Sequence, residues 1–244
     1  MDNTKTKVSR IMVFAINACL LYLVGKSFIG SLIYTYSELE LPWCSCIAEG
    51  IVILLTVVMS VIQRNDLPSY GIRRSSNQGN FKYIIPLVLL SLMLMPYFFL
   101  LPLTDPVVPA FLDIIYIGIM EEFIFRGLIF RAAEVITDEN KAIIISSVMF
   151  GLIHLVNLSG DFTWQFVLLQ VAFNAVIGLG LGALRARTKS IFVGIMIHFF
   201  LDINGLFDGS ISWMENAQIV MYFVVGILLY IFYLKEIAKK EDNP

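Results

Sequence analysis

The sequence predicts an all-α fold, a polytopic transmembrane helical bundle of about eight spans, and three observations carry that expectation. The chain of 244 residues is 58% hydrophobic and only 15% charged. Its mean hydropathy of +0.82 is far above that of a soluble domain of this size. Its apolar stretches recur at lengths that match the hydrocarbon core of a bilayer, and its cations fall on alternate connections between them.

The stretches lie at about 11–36, 44–63, 83–103, 110–132, 141–158, 162–184, 190–207 and 216–234. The fifth and seventh are short for a span, so a count of seven stays open. The first follows Lys5, Lys7 and Arg10, as in a signal peptide, but it continues to Tyr36 without a small-residue cleavage site and reads as a retained span.

All but two of the 17 Lys and Arg residues lie in five segments: the N-terminal tail, the 64–82 loop, the 131–141 and 185–189 turns and the C-terminal tail. An eight-span chain puts all five on one side. The opposite connections carry Glu38, Glu40, Asp105, Asp161, Asp208 and Glu215 and no cation. The positive-inside rule then places both termini in the cytoplasm, with a bacterial cell membrane as the expected location.

The 64–82 loop is the longest polar stretch. It divides two N-terminal helices with their loop (1–82) from a six-helix core (83–244). No internal repeat is visible, which counts against an inverted-repeat transporter. A net charge of −2 with no basic patch excludes nucleic acid as a partner and leaves the lipid bilayer. Cys19, Cys44 and Cys46 read as packing residues, and Gly178 with Gly182 as a close helix contact. Lys26, inside the first span, is expected to snorkel or to pair within the bundle. Asp113, one turn into its helix, is expected at the interface.

Chemistry concentrates in Met120-Glu121-Glu122-Phe123-Ile124-Phe125-Arg126-Gly127, two carboxylates and a guanidinium in the middle of an apolar run. Each such charge near a bilayer centre costs roughly 2.5–3.5 kcal/mol even on the lenient insertion scale, so partners or function must offset it. Glu122 and Arg126, four apart, share a helix face and can neutralise each other, whereas Glu121 points elsewhere. Glu122 is thus the structural carboxylate, and Glu121 the one available for chemistry.

Both histidines of the protein, His154 and His198, fall inside predicted spans. His198 and Asp202 form a second i,i+4 pair, so the carboxylate can hold the imidazole's tautomer or join it at a common ligand. Phe150 stands one turn before His154. At 1.5 Å per residue, Glu121 lies about 16 Å from the outer end of its helix, and His198 and Asp202 about 12 and 18 Å from the inner end of theirs. The four groups can meet near the midplane.

Glu121-Glu122-x-x-x-Arg126, Phe150-x-x-x-His154 and His198-x-x-x-Asp202, in this order on successive helices, resemble the motif set of the CPBP intramembrane proteases. These are the type II CAAX prenyl endopeptidases and bacteriocin-processing enzymes, also called Abi proteins. The resemblance covers roughly 105–210, including the lead-in Thr188-Lys189-Ser190. It implies hydrolysis of a peptide bond in a membrane-associated peptide by glutamate-activated water. Glu121 would be the general base and His154 its helper on the water. His198 and Asp202 would stabilise the oxyanion, with Glu122 and Arg126 in support.

Where some family members have Asn, this chain has Asp202, and an ionised carboxylate cannot donate a hydrogen bond to an oxyanion. Asp202 must be protonated, orient His198 or bind a metal. Glu121, His154, His198 and Asp202 form a two-histidine, two-carboxylate set suited to zinc, although no H-E-x-x-H pair is present. In either case the site needs a hydrated intramembrane cavity. Two other readings stand beside the peptidase: a non-proteolytic immunity protein of the same fold, and a proton-coupled transporter using Glu121, Glu122 and Asp202 as a relay.

Overall fold

The computed structural model describes residues 2–63, 65–75, 107–160, 162–202 and 212–242, which are helical with short connections and contain no strand. The third predicted span, 83–103, lies outside them. So does the end of the long polar loop, beyond residue 75.

The chain opens with α1 (Asp2–Leu20), which passes through a π-helical turn, Leu21–Gly25, into α2 (Lys26–Tyr36) without a break. Ser37 turns extended and ends it. Pro42 then starts α3 (Leu41–Ile62), where its missing N–H leaves no hydrogen bond unmade. A 3-10 turn, Leu67–Tyr70, ends on Gly71 at φ 89°, a left-handed conformation that favours glycine. A Cβ there would also strike Arg185 Nε at 2.7 Å.

The motif helix is α4 (Val107–Glu122), continued by a π-helical segment, Phe123–Ile129, and by α5 (Phe130–Ile136). Asp138 caps the next helix, α6 (Glu139–Ile153), by accepting from the Lys141 backbone N–H at 2.8 Å. Hydrogen bonds from the Lys141 side chain and backbone hold the Asp138 carboxyl below its ordinary range. A 3-10 segment, His154–Ser159, and a Thr163 cap lead into α7 (Trp164–Thr188). Lys189, at φ 56°, ends α7, and α8 (Phe192–Asp202) and α9 (Ser212–Asp242) follow.

Five of these helical runs are long and apolar enough to cross a membrane: Thr4–Tyr36, Leu41–Ile62, Glu139–Ser159, Trp164–Thr188 and Val220–Ala238. Their outer faces expose Val24, Phe28, Leu54, Val61, Leu169 and Val220, among others, as lipid-facing helices do. This is an integral membrane protein.

Small residues set the helix spacings. Gly178 and Gly182 meet Ser147 and Ile143 of α6, where a Cβ would come within 2.9 Å, and Gly180 faces Gly226 of α9 as closely. The cysteines are unpaired. Two apolar clusters result. One joins α5, α6, α7, α8 and α9 through Phe130, Ile143, Leu181, Ile197 and Tyr233; the other joins α1, α3, the π segment and α6 through Phe14, Val52, Phe123, Leu128 and Phe150. The charged motif residues lie where the two meet.

One expectation changes. Arg185, counted with a cytoplasmic turn, lies inside α7 and is buried. It donates from Nε to the Arg126 carbonyl (3.2 Å) and from Nη2 to the Ser69 carbonyl (3.0 Å). Asp113, expected at the interface, accepts from Ser45 Oγ at 3.2 Å and lies 3.7 Å from Lys26 Nζ. Lys26 pairs within the bundle, as its place in the first span led one to expect, with Glu49, a buried carboxylate of α3.

Candidate active site

Glu121 and Glu122 close α4, and the helix widens into the π form at the next residue, Phe123. A π turn bonds i to i+5 and is a frequent mark of functional sites. Despite the widening, Glu122 and Arg126 stay paired: Glu122 Oε1 lies 3.0 Å from Arg126 Nη1, both side chains fully enclosed. The Arg126 guanidinium also lies over the Phe150 ring, its carbon 4.0 Å from the ring centroid.

From α8, His198 reaches both carboxylates. Its Nδ1 lies 3.3 Å from Glu122 Oε1, and its Nε2 lies 3.3 Å from Glu121 Oε2 and 3.4 Å from Asp202 Oδ2. The approach of α8 depends on glycine at Gly194, where a Cβ would collide with Glu122 Oε2.

His154, at the C-terminal end of α6, is held by its own helix. Its Nδ1 lies 2.9 Å from the Phe150 carbonyl, which only accepts, so Nδ1 carries the proton. In the neutral ring Nε2 is left as an acceptor. The Phe150 ring packs against both histidines, its centroid 5.3 Å from that of His154 and 5.6 Å from that of His198, nearly perpendicular to each. It is the hub of the site, against which both imidazoles and Arg126 pack.

The structure thus joins Glu121, Glu122, Arg126, His198 and Asp202 in one network, with His154 packed on the Phe150 ring that also meets His198. Residues 103–204 match the family model of type II CAAX prenyl endopeptidases, Rce1-like. No curated protein matches the chain, and no solved structure does. The Rce1-like segment spans α4 to α8, the helices that carry the three motifs. It leaves out α1, α2 and α3.

Those outer helices nevertheless reach the Rce1-like site. Tyr22, in the first π turn, donates from its hydroxyl to Glu121 Oε1 at 3.2 Å. Nothing in the local sequence marks it, since a tyrosine in an apolar span is an ordinary packing residue. Glu49 was equally inconspicuous, although a carboxylate inside a span with a lysine in the preceding one is a signal that pairing arguments can find.

Access is narrow. The Glu121 and His198 side chains are 12% and 5% exposed, and Asp202, at 33%, forms the open side. A separate apolar cavity of about 270 Å³ is lined by Met120, Ile53, Thr56, Ile72, Phe123 and Ile195, and none of the charged residues lines it. As for zinc, both nitrogens of His198 face carboxylates, and among the described residues no three His, Cys, Asp or Glu side chains gather as a set for one ion. The side chains as placed do not form a zinc site.

Proposed function

We propose that the protein is an intramembrane endopeptidase that cleaves a membrane-associated peptide, with Glu121 as the base that activates water. The observation that carries this reading is the unequal use of two adjacent carboxylates. Glu122 is taken up by Arg126 and His198 Nδ1, while Glu121 faces Tyr22 and the Nε2 side of the imidazole, toward the open edge at Asp202.

The reaction follows from these positions. A water proton passes to Glu121 as the water oxygen bonds to the scissile carbonyl carbon. The His154 Nε2 lone pair accepts from the same water and aims it. The carbonyl oxygen becomes an oxyanion, stabilised by the field of His198, whose ring donates toward carboxylates on both sides when it carries two protons. Asp202, as a carboxylate, accepts from Nε2 and orients the ring rather than donating to the oxyanion. Collapse breaks the C–N bond, and the proton held by Glu121 moves to the leaving amine.

The distribution of cations supports an orientation with both termini in the cytoplasm. Protease-accessible tags at the two ends of the chain test it in sealed vesicles. For the activity, purified wild type and Glu121→Gln are incubated with a library of membrane-associated peptides and cleavage is read by mass spectrometry. Wild type cleaves and the variant does not. Cleavage by Glu121→Gln would remove Glu121 as the base, and a cellular immunity phenotype that survives the substitution would favour the non-proteolytic reading.

A further inference from the structure

The geometry points to Tyr22 as a positioning residue of the active site: its hydroxyl fixes the Glu121 carboxylate, so the first transmembrane helix, outside the Rce1-like segment, completes the catalytic apparatus. The inference rests on the reading of Glu121 as the base.

A general base must present one oxygen lone pair to water in a defined direction, and a carboxylate on a flexible glutamate side chain turns freely unless both oxygens are held. Here each oxygen meets one donor. Oε2 faces His198 Nε2 at 3.3 Å, and Oε1 accepts from the Tyr22 hydroxyl at 3.2 Å. Each carboxylate oxygen has two lone pairs, so a position on each remains for water.

Three features keep Tyr22 in place. The π turn Leu21–Gly25 interrupts the regular path of the helix at this residue. Four residues on, Lys26 is locked to Glu49 of α3 and lies 3.7 Å from Asp113 of α4, which limits rotation of the helix about its axis. On the other side, α1 packs on the segment that follows Glu122, with Phe14 edge-on to Phe123 at 6.0 Å. The helix that carries Tyr22 and the helix that carries Glu121 are thereby fixed to each other at both ends of the contact.

The test compares wild type, Glu121→Gln, Tyr22→Phe and Tyr36→Phe, all as full-length protein, on a peptide that the wild type cleaves. Tyr36 lies at the exposed end of α2 and controls for the loss of a phenol. A hydrogen bond to a charged group is worth enough that its loss lowers kcat by about tenfold to a hundredfold.

Tyr22→Phe should show that fall with KM unchanged, because the hydroxyl acts on the base and not on the substrate, and Tyr36→Phe should match wild type. Unchanged kcat in Tyr22→Phe overturns the proposal while Glu121→Gln still identifies the base. So does a raised KM with kcat intact, which would make Tyr22 a substrate contact. If Glu121→Gln cleaves as wild type does, the reading of the base fails, and the role of Tyr22 with it. Tyr22→Leu guards against a folding artefact: a variant that folds and falls as far as Tyr22→Phe assigns the effect to the hydroxyl.

Discussion

Glu122 reaches across from the end of α4 to α8, where its Oε1 lies 3.3 Å from His198 Nδ1. That one oxygen also meets the guanidinium of Arg126, so the carboxylate that looked structural from its spacing also orients an imidazole of the site. Its other oxygen has no hydrogen-bond partner among the described residues and faces the space above Gly194.

Removal of Arg126 should therefore be severe. Arg126→Met leaves Glu122 as a buried carboxylate with one cation fewer, and the loss from breaking a buried pair is about 3–5 kcal/mol. Chemical denaturation in detergent measures it. The double variant Arg126→Met/Glu122→Met should recover most of that stability but not the activity, since His198 then lacks its Nδ1 partner. Equal stability of Arg126→Met and wild type would contradict the pairing.

Gly194 is a second test of the same contact. Gly194→Ala places a methyl on Glu122 Oε2 and forces α8 outward, at a cost of about 1–3 kcal/mol. Because α8 carries His198, kcat should fall more steeply than the thermal midpoint suggests. A variant with wild-type kcat would show that the α4–α8 spacing does not set the chemistry.

At Asp202 the direction depends on the replacement. Asp202→Asn keeps an oxygen that accepts from His198 Nε2 and adds an amide that can donate to an oxyanion, so it should stay within about tenfold of wild-type kcat. Asp202→Leu keeps neither and should fall by about a hundredfold or more, the typical loss for a catalytic hydrogen-bonding group. Wild-type kcat in both variants would remove Asp202 from the site.

Metal removal separates the two accounts of the carboxylates. With both His198 nitrogens directed at carboxylates, dialysis against a strong chelator should leave cleavage intact. Loss of activity on chelation, restored by added zinc and by no other handling of the sample, would establish a metal enzyme.

How much of this was legible before the fold was known varies by residue. The Glu122–Arg126 pair followed from its spacing of four, because side chains four apart on a helix are neighbours whatever the helix packs against. His198–Asp202 followed in the same way, and the apolar runs disclosed the helices because a bilayer demands a fixed length of them.

The contacts of Tyr22 with Glu121, of Lys26 with Glu49 and of Arg185 with the Arg126 carbonyl were not legible in this way. Neither were the two π segments, which depend on how neighbouring helices settle.

Composition and helical periodicity sufficed for the helical membrane class, the helices that bear the charges, and which carboxylate each helical period pairs. That His198 stands between Glu121 and Glu122, that Phe150 packs on both histidines, and that the first helix touches Glu121 came from the packing of the helices. The difference is one of range. Helical periodicity and hydropathy act over a few residues, whereas the separations bridged here, 76 residues from Glu122 to His198 and 99 from Tyr22 to Glu121, are closed by helix packing alone.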